Sequence, residues 1–82
     1  MTIKLHVGNL GQGTRASDLE NVFNNVGLVM SVAIPMDAKG SNKNFGFVNM
    51  GTEAGAQAAI KILNGSTLME RQITVRQATA TE

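Results

Sequence analysis

The sequence predicts an α+β domain in which a four-stranded antiparallel sheet carries two helices on one face. Stretches with apolar residues at alternate positions and stretches with apolar residues at helical spacing follow in the order strand, helix, strand, strand, helix, strand. Each helical stretch has one apolar stripe and each strand offers one apolar face, so two packed layers bury both. Residues 1–78 of the 82-residue chain are predicted to form this single domain, and residues 79–82 a flexible tail.

The first strand is predicted over residues 3–8, where apolar residues alternate with polar residues and glycine. The first helix is predicted from four apolar residues at i, i+3, i+4 and i+7, which are Leu19, Val22, Phe23 and Val26. Thr14 or Ser17 is the expected N-cap. Gly27 is expected to end the helix, because glycine tolerates the left-handed conformation common at helix ends.

Residues 28–34 are apolar and rich in Val and Ile, which predicts a second strand that ends at Pro35. A polar loop is expected over residues 37–42. The third strand is predicted from residue 45 to residue 50. Alternation places Phe45 and Phe47 on one of its faces and Gly46, Val48 and Met50 on the other. Met30 and Met50 are expected in the core.

The second helix is predicted to begin after Thr52 as its cap and to end at the Asn-Gly pair at 64–65. Its apolar stripe consists of Ala56, Ala59, Ile60 and Leu63. A short extended piece is expected near Leu68, and a final strand over residues 71–76. Ile73 and Val75 should then point inward.

Composition excludes several classes of protein. The chain has no cysteine, which removes disulfide frameworks, thiolate metal sites and cysteine catalysis. No apolar run approaches the roughly 18 residues of a membrane span, and the N-terminus does not resemble a secretory signal. The expected location is therefore cytoplasmic, with organellar and nuclear locations left open. The net charge is only +1, so any electrostatic argument depends on where the charges lie.

The sheet face away from the helices carries the residues that suggest a function. Alternation along three strands places there Lys4, His6 and Gly8, then Lys43, Phe45, Phe47 and Asn49, and finally Gln72, Thr74 and Arg76. Two of the chain's three aromatic residues, Phe45 and Phe47, would then stand in solvent unless a ligand covers them. Bases of a single-stranded nucleic acid are suitable to cover these rings, because each base that stacks on an aromatic ring contributes about 1–3 kcal/mol to binding.

Two segments resemble the signature motifs of a known family. Residues 43–50, Lys-Asn-Phe-Gly-Phe-Val-Asn-Met, resemble the octamer of the RNA recognition motif, and residues 5–10, Leu-His-Val-Gly-Asn-Leu, resemble its hexamer. The chain is similar to the stand-alone motif proteins of bacteria and organelles. The predicted layers are those of a ferredoxin-like βαββαβ sandwich, and the resemblance implies the strand order 4-1-3-2.

The resemblance also implies which residues bind. His6, Phe45 and Phe47 would stack bases, and Lys43 would contact a phosphate. Three departures from the family pattern stand out: His6 replaces an aromatic residue, Asn44 replaces a glycine, and Met50 replaces an aromatic residue whose side chain faces the core. Asn44 tolerates a positive φ better than most residues, which favours retention of the loop geometry.

The remaining polar residues of the open face are assigned to contacts of two kinds. Arg76 and Lys4 are expected to contact phosphate or base, while Asn49, Gln72 and Thr74 are expected to form hydrogen bonds with base edges.

The expected partner is single-stranded RNA, with single-stranded DNA as an alternative. No cofactor and no membrane partner is expected. No metal site is expected either, since His6 is the only histidine. A protein-interaction module that uses the same face is a second hypothesis. An enzyme is disfavoured, because no nucleophile with a base and no convergent carboxylate pair is found. The protein is expected to act as a monomer that covers roughly two to four nucleotides.

Overall fold

The structure, a computed structural model, describes residues 2–11, 13–35 and 44–79. The elements are β1 (Ile3–Gly8), α1 (Ala16–Asn24), β2 (Val29–Ala33), β3 (Phe45–Met50), α2 (Glu53–Leu63), β4 (Thr67–Leu68), β5 (Arg71–Gln72) and β6 (Thr74–Gln77). The strands β2, β3, β1 and β6 form an antiparallel sheet in that order, and β4 pairs with β5 in a separate hairpin. Read from the other edge, this is the predicted order 4-1-3-2, so the predicted fold class is confirmed.

The core lies between one face of the sheet and the two helices. The buried apolar residues are Leu5, Val7, Leu10, Leu19, Phe23, Val48, Met50, Ala56, Ala59, Leu63, Ile73 and Val75. β1 and β3 are paired residue by residue, and Leu5 lies opposite Val48 on the buried face. Burial of each large apolar side chain contributes about 1.5–3 kcal/mol to stability. The described helices and strands leave the second face of the sheet open.

The two helices begin differently. Thr52 caps α2 as predicted, because its hydroxyl oxygen accepts a hydrogen bond from the Gly55 N–H at 3.0 Å. The expected caps for α1 were wrong: its N-cap is Arg15, whose backbone N–H donates to the Asp18 carboxylate at 2.8 Å. The Thr14 hydroxyl instead donates to the sulfur of Met69 at 3.6 Å.

Gly27 has a different role from the one predicted. Among the glycines of the described residues, Gly65 at the end of α2 has a positive φ, of 84°, and Gly27 does not. A Cβ atom at Gly27 would lie 2.8 Å from the Cα of Gly55 and 3.1 Å from the Cε of Met50. The absence of a side chain therefore lets the turn after α1 approach the first turn of α2.

Two further predictions were wrong. Met30 is 58% exposed and does not belong to the core, because β2 has a bulge between Val29 and Ser31 that makes Met30 an extra residue in the strand. The predicted final strand is divided at Ile73, whose N–H donates to the carbonyl of Ser66 at 2.9 Å. The chain before this residue therefore forms the β4–β5 hairpin, and only β6 joins the sheet.

Some predictions lie outside the described residues. These are the polar loop at 37–42, Lys43 and the last three residues of the tail.

Candidate nucleic-acid interface

Three rings meet on the open face of the sheet. His6 of β1 lies directly opposite Phe47 of β3, and Phe45 lies opposite Gly8. The ring centroids of His6 and Phe45 are 5.5 Å apart with nearly parallel planes, at 10°. Phe47 packs edge-on against both, at 5.5 Å from His6 and 5.6 Å from Phe45. These are favourable aromatic geometries. We call His6, Phe45 and Phe47 the aromatic cluster; the two Phe side chains are half-buried, so part of each ring faces solvent.

Gly8 makes room for this cluster. A Cβ atom at Gly8 would lie 2.6 Å from the hydroxyl oxygen of Thr74 and 3.4 Å from the Cε1 atom of His6. Thr74 lies opposite Gly8 on β6, as the register of β1 and β6 shows. The space that a side chain at Gly8 would fill is therefore taken by the His6 imidazole and the Thr74 hydroxyl. His6 and Thr74 are both predicted site residues.

Positive charge borders the aromatic cluster. The Lys4 ammonium lies 4.3 Å from the ring centroid of Phe47, in a cation–π contact. Arg76 of β6 lies opposite His6, on the other side of β1 from Phe47. The acidic residues that the structure describes all lie on other elements: Asp18 and Glu20 on α1, Glu53 on α2, and Glu70 between β4 and β5. Among the described residues, the charged side chains of the open sheet face are thus cationic, although the net charge of the chain is only +1.

Polar groups continue the face toward β2. The side-chain amide nitrogen of Asn49 donates to the hydroxyl oxygen of Ser31 at 2.7 Å. Asn49 was a predicted site residue, whereas Ser31 was missed. Simple alternation along β2 could not have assigned Ser31 to this face, because the bulge at Met30 shifts the pattern by one residue.

The structure does not place Gln72 with the other predicted site residues. It lies in β5, outside the four-stranded sheet, and its side-chain amide donates to the carbonyl of Gly65 at 3.0 Å. Lys43 is outside the described residues, so its phosphate contact stays a prediction.

A hydrogen-bonded junction fixes the hairpin beside the end of β1. Arg71 donates through Nε to the Asn9 carbonyl at 3.1 Å and through Nη2 to the Asn9 side-chain oxygen at 2.8 Å. The Asn9 side-chain amide in turn donates to the Gln72 carbonyl at 2.7 Å.

Asn9 and Asn44 both adopt left-handed backbone conformations, with φ of 60° and 66°. The predicted tolerance of Asn44 for positive φ is therefore confirmed, and Arg71 is a supporting residue that sequence reasoning missed.

Over residues 2–11, 13–35 and 44–79, no cluster of three His, Asp or Glu side chains is placed to bind a metal ion. In the same ranges, neither helix has the length and apolar character that a membrane crossing requires.

Comparisons with known proteins agree with this geometry. The family described as RNA recognition motif matches residues 5–74. The chloroplastic 29 kDa ribonucleoprotein of Arabidopsis thaliana is 42% identical over 78 residues, which cover 94% of this chain and 23% of that protein. The putative RNA-binding protein RbpA of Nostoc sp. is 39% identical over 77 residues, which cover 93% of this chain and 76% of that protein. The chain thus spans about a quarter of the first relative and three quarters of the second.

Solved structures give the same result. The RNA-binding protein PG1 superposes with a TM-score of 0.88 at 32% identity, with 93% of both chains covered. The Sex-lethal protein in its RNA complex superposes with a TM-score of 0.89 at 29% identity, with 96% of this chain and 48% of that chain covered. The fold is therefore shared with solved structures of RNA-binding proteins.

Proposed function

The chain belongs to the RNA recognition motif family, a family of RNA-binding and not of enzymatic domains, and from this premise we propose that it binds single-stranded RNA by stacking bases on the aromatic cluster. The observation that carries the proposal is the convergence of His6, Phe45 and Phe47 on the open sheet face at ring distances of 5.5–5.6 Å. Unstacked bases of single strands and loops can cover such rings, whereas bases within a duplex cannot.

Each neighbouring residue is assigned a role by its position. Lys4 and Arg76 neutralise phosphates on either side of the aromatic cluster, and Lys43 does so at the start of the octamer. Asn49 and Thr74 offer hydrogen bonds to base edges from positions beside the rings. Gln72 is assigned to the hairpin, because it lies in β5, outside the four-stranded sheet.

We also propose that residues 1–78 act as a monomeric domain, in a cytoplasmic or organellar compartment. The chloroplastic relative supports the organellar choice. RNA is favoured over single-stranded DNA because several relatives are named as RNA-binding proteins.

The test is a titration of labelled U-rich, A-rich and G-rich RNA octanucleotides, with single-stranded DNA and duplex RNA of matched sequence as comparators. At least one single-stranded RNA is expected to bind at tens of micromolar or tighter, and duplex RNA much more weakly. Two or three cationic contacts predict a log–log slope of affinity against salt of about −1.5 to −2, because each single-strand phosphate contact contributes about −0.7.

Absence of binding by every single strand at that concentration would overturn the proposal, and so would equal affinity for duplex RNA. In either case a protein partner that covers Phe45 and Phe47 becomes the better account of the exposed rings. Tighter binding of DNA than of RNA would reassign the ligand while keeping the stacking mechanism.

A further inference from the structure

We propose that the RNA path continues beyond the aromatic cluster to a second contact, formed by Leu28 and Met30, which takes a further base of the same strand. The inference rests on the proposed function. We call these two side chains the edge patch, because they lie at the β2 edge of the sheet. They are 56% and 58% exposed, which makes them two of the four large apolar side chains that stand in solvent among the described residues.

The edge patch lies on the same face as the aromatic cluster. Val29 of β2 pairs with Met50, whose side chain is buried in the core. The pairing continues by one residue, because the Gly51 N–H donates to the Leu28 carbonyl at 2.9 Å. Successive residues of a strand point to opposite faces, so Leu28 and Gly51 belong to the open face.

The two side chains of the edge patch lie over Gly51. A Cβ atom built at this glycine would lie 2.8 Å from the Cδ2 of Leu28 and 3.2 Å from the Cγ of Met30. Both side chains therefore converge on the place where a side chain at position 51 would stand. The bulge that makes Met30 an extra residue in β2 is what brings it to this face beside Leu28. Single exposed apolar residues are common, but two that converge on one point form a contact surface.

The surface between the two apolar contacts suits a nucleic-acid strand. The open-face positions run from Phe45 through Phe47 and Asn49 of β3 to Gly51, the residue after β3. At the usual rise of a strand, the four residues from Phe47 to Gly51 place the edge patch about 13 Å from Phe47. Asn49 with its bonded Ser31 lies between them, and Lys4 lies directly opposite Asn49 on β1. A backbone that crosses this interval would meet a cation and hydrogen-bonding groups.

The chemistry of the edge patch also favours a base as its occupant. The sulfur of a methionine makes favourable contacts with aromatic rings, and the flexible side chain can adjust to any base. The described acidic residues belong to α1, to α2 and to the turn between β4 and β5; Glu53 of α2 is the nearest of them along the chain to Gly51, and both residues line the same cavity. The edge patch therefore continues the open face of the sheet beyond Asn49 and Lys4.

The test compares an RNA trinucleotide with an octanucleotide of the best-bound sequence. The variants are Leu28→Ser with Met30→Ser, and Ile62→Ser as a control that removes an equally exposed apolar side chain from α2. The edge variant should bind the octanucleotide about two- to tenfold more weakly, the effect of losing sulfur–aromatic and apolar contact with one base. Its affinity for the trinucleotide and the affinities of the control should be unchanged. The methyl resonances of Leu28 and Met30 should shift with the octanucleotide and not with the trinucleotide.

The outcomes separate the edge patch from the proposed function. If the parent protein binds neither the trinucleotide nor the octanucleotide, the proposed function and the edge patch are both contradicted. If the parent binds both and the edge variant keeps the octanucleotide affinity, or if the methyl resonances do not respond, only the edge patch falls. Equal losses of affinity for the trinucleotide and the octanucleotide in the edge variant would indicate a general effect on the fold. This result would also contradict the edge patch. Methyl shifts that depend on protein concentration without RNA would identify a second copy of the chain as the occupant.

Discussion

Replacement of both Phe45 and Phe47 by alanine is expected to remove most of the RNA affinity while the domain stays folded. Each aromatic ring that stacks on a base contributes about 1–3 kcal/mol. Loss of two stacking partners therefore predicts a decrease in affinity of about 30-fold or more, since each 1.4 kcal/mol corresponds to a factor of ten. The measurement is the dissociation constant of the best-bound RNA octanucleotide for the parent and the double variant.

The fold should tolerate this change because neither ring belongs to the buried core. The core face of β3 is made by its alternate residues, Val48 and Met50, which are fully buried. The two phenylalanine rings contact each other and His6 on the opposite face. Circular dichroism and thermal unfolding of the double variant should therefore report the parent fold.

A matched control distinguishes stacking from a general loss of exposed apolar surface. Ile62→Ala removes part of a side chain that is 59% exposed on α2, away from the sheet face. Its RNA affinity should equal that of the parent. The residual binding of the double variant should keep a salt dependence, because Lys4 and Arg76 remain. An RNA affinity of the double variant within about twofold of the parent would contradict the stacking mechanism.

Gly27→Ala is expected to destabilise the domain, because the added methyl group would collide with the backbone of α2. The new Cβ would lie 2.8 Å from the Cα of Gly55 and 3.4 Å from its carbonyl carbon. Both atoms belong to the backbone of α2, so no rotamer change can relieve the contact. Overpacking of this kind costs about 1–3 kcal/mol. Each 1 kcal/mol lowers the melting temperature by about 4–8 °C in a domain of this size.

Gly13→Ala provides the comparison for that experiment. A Cβ at Gly13 meets only the terminal methyl carbon of Met69, at 4.0 Å, which is ordinary contact. Its melting temperature should stay close to that of the parent. Equal melting temperatures for the Gly27 and Gly13 variants would show that the turn after α1 can move away from α2 without cost, and the proposed close approach would be wrong.

The features that sequence could predict are those set by burial. Alternation along β3 fixed which face carries Phe45 and Phe47, because Val48 and Met50 must enter the core. The stripes of α1 and α2 followed from the same requirement at helical spacing. The pairing of His6 with Phe47 then depended on the family resemblance, which implied that β1 and β3 are neighbours.

The features that sequence missed depend on contacts between distant segments. The bulge in β2 moves Met30 out of the core and Ser31 onto the open face, and no local pattern marks it. The helix α1 begins one residue later than a Thr14 cap would require, and the Thr14 hydroxyl donates to the sulfur of Met69, which lies far along the chain. The final strand divides because Ile73 pairs with Ser66 and not with β1.

The most direct test of RNA binding through the open sheet face is the map of backbone amide shifts during titration with the best-bound RNA octanucleotide. The largest shifts are expected at His6, Phe45 and Phe47 and at their neighbours on β1 and β3, with little change on the exposed faces of α1 and α2. Shifts confined to the helices, with the aromatic cluster unaffected, would contradict the claim that this face binds RNA.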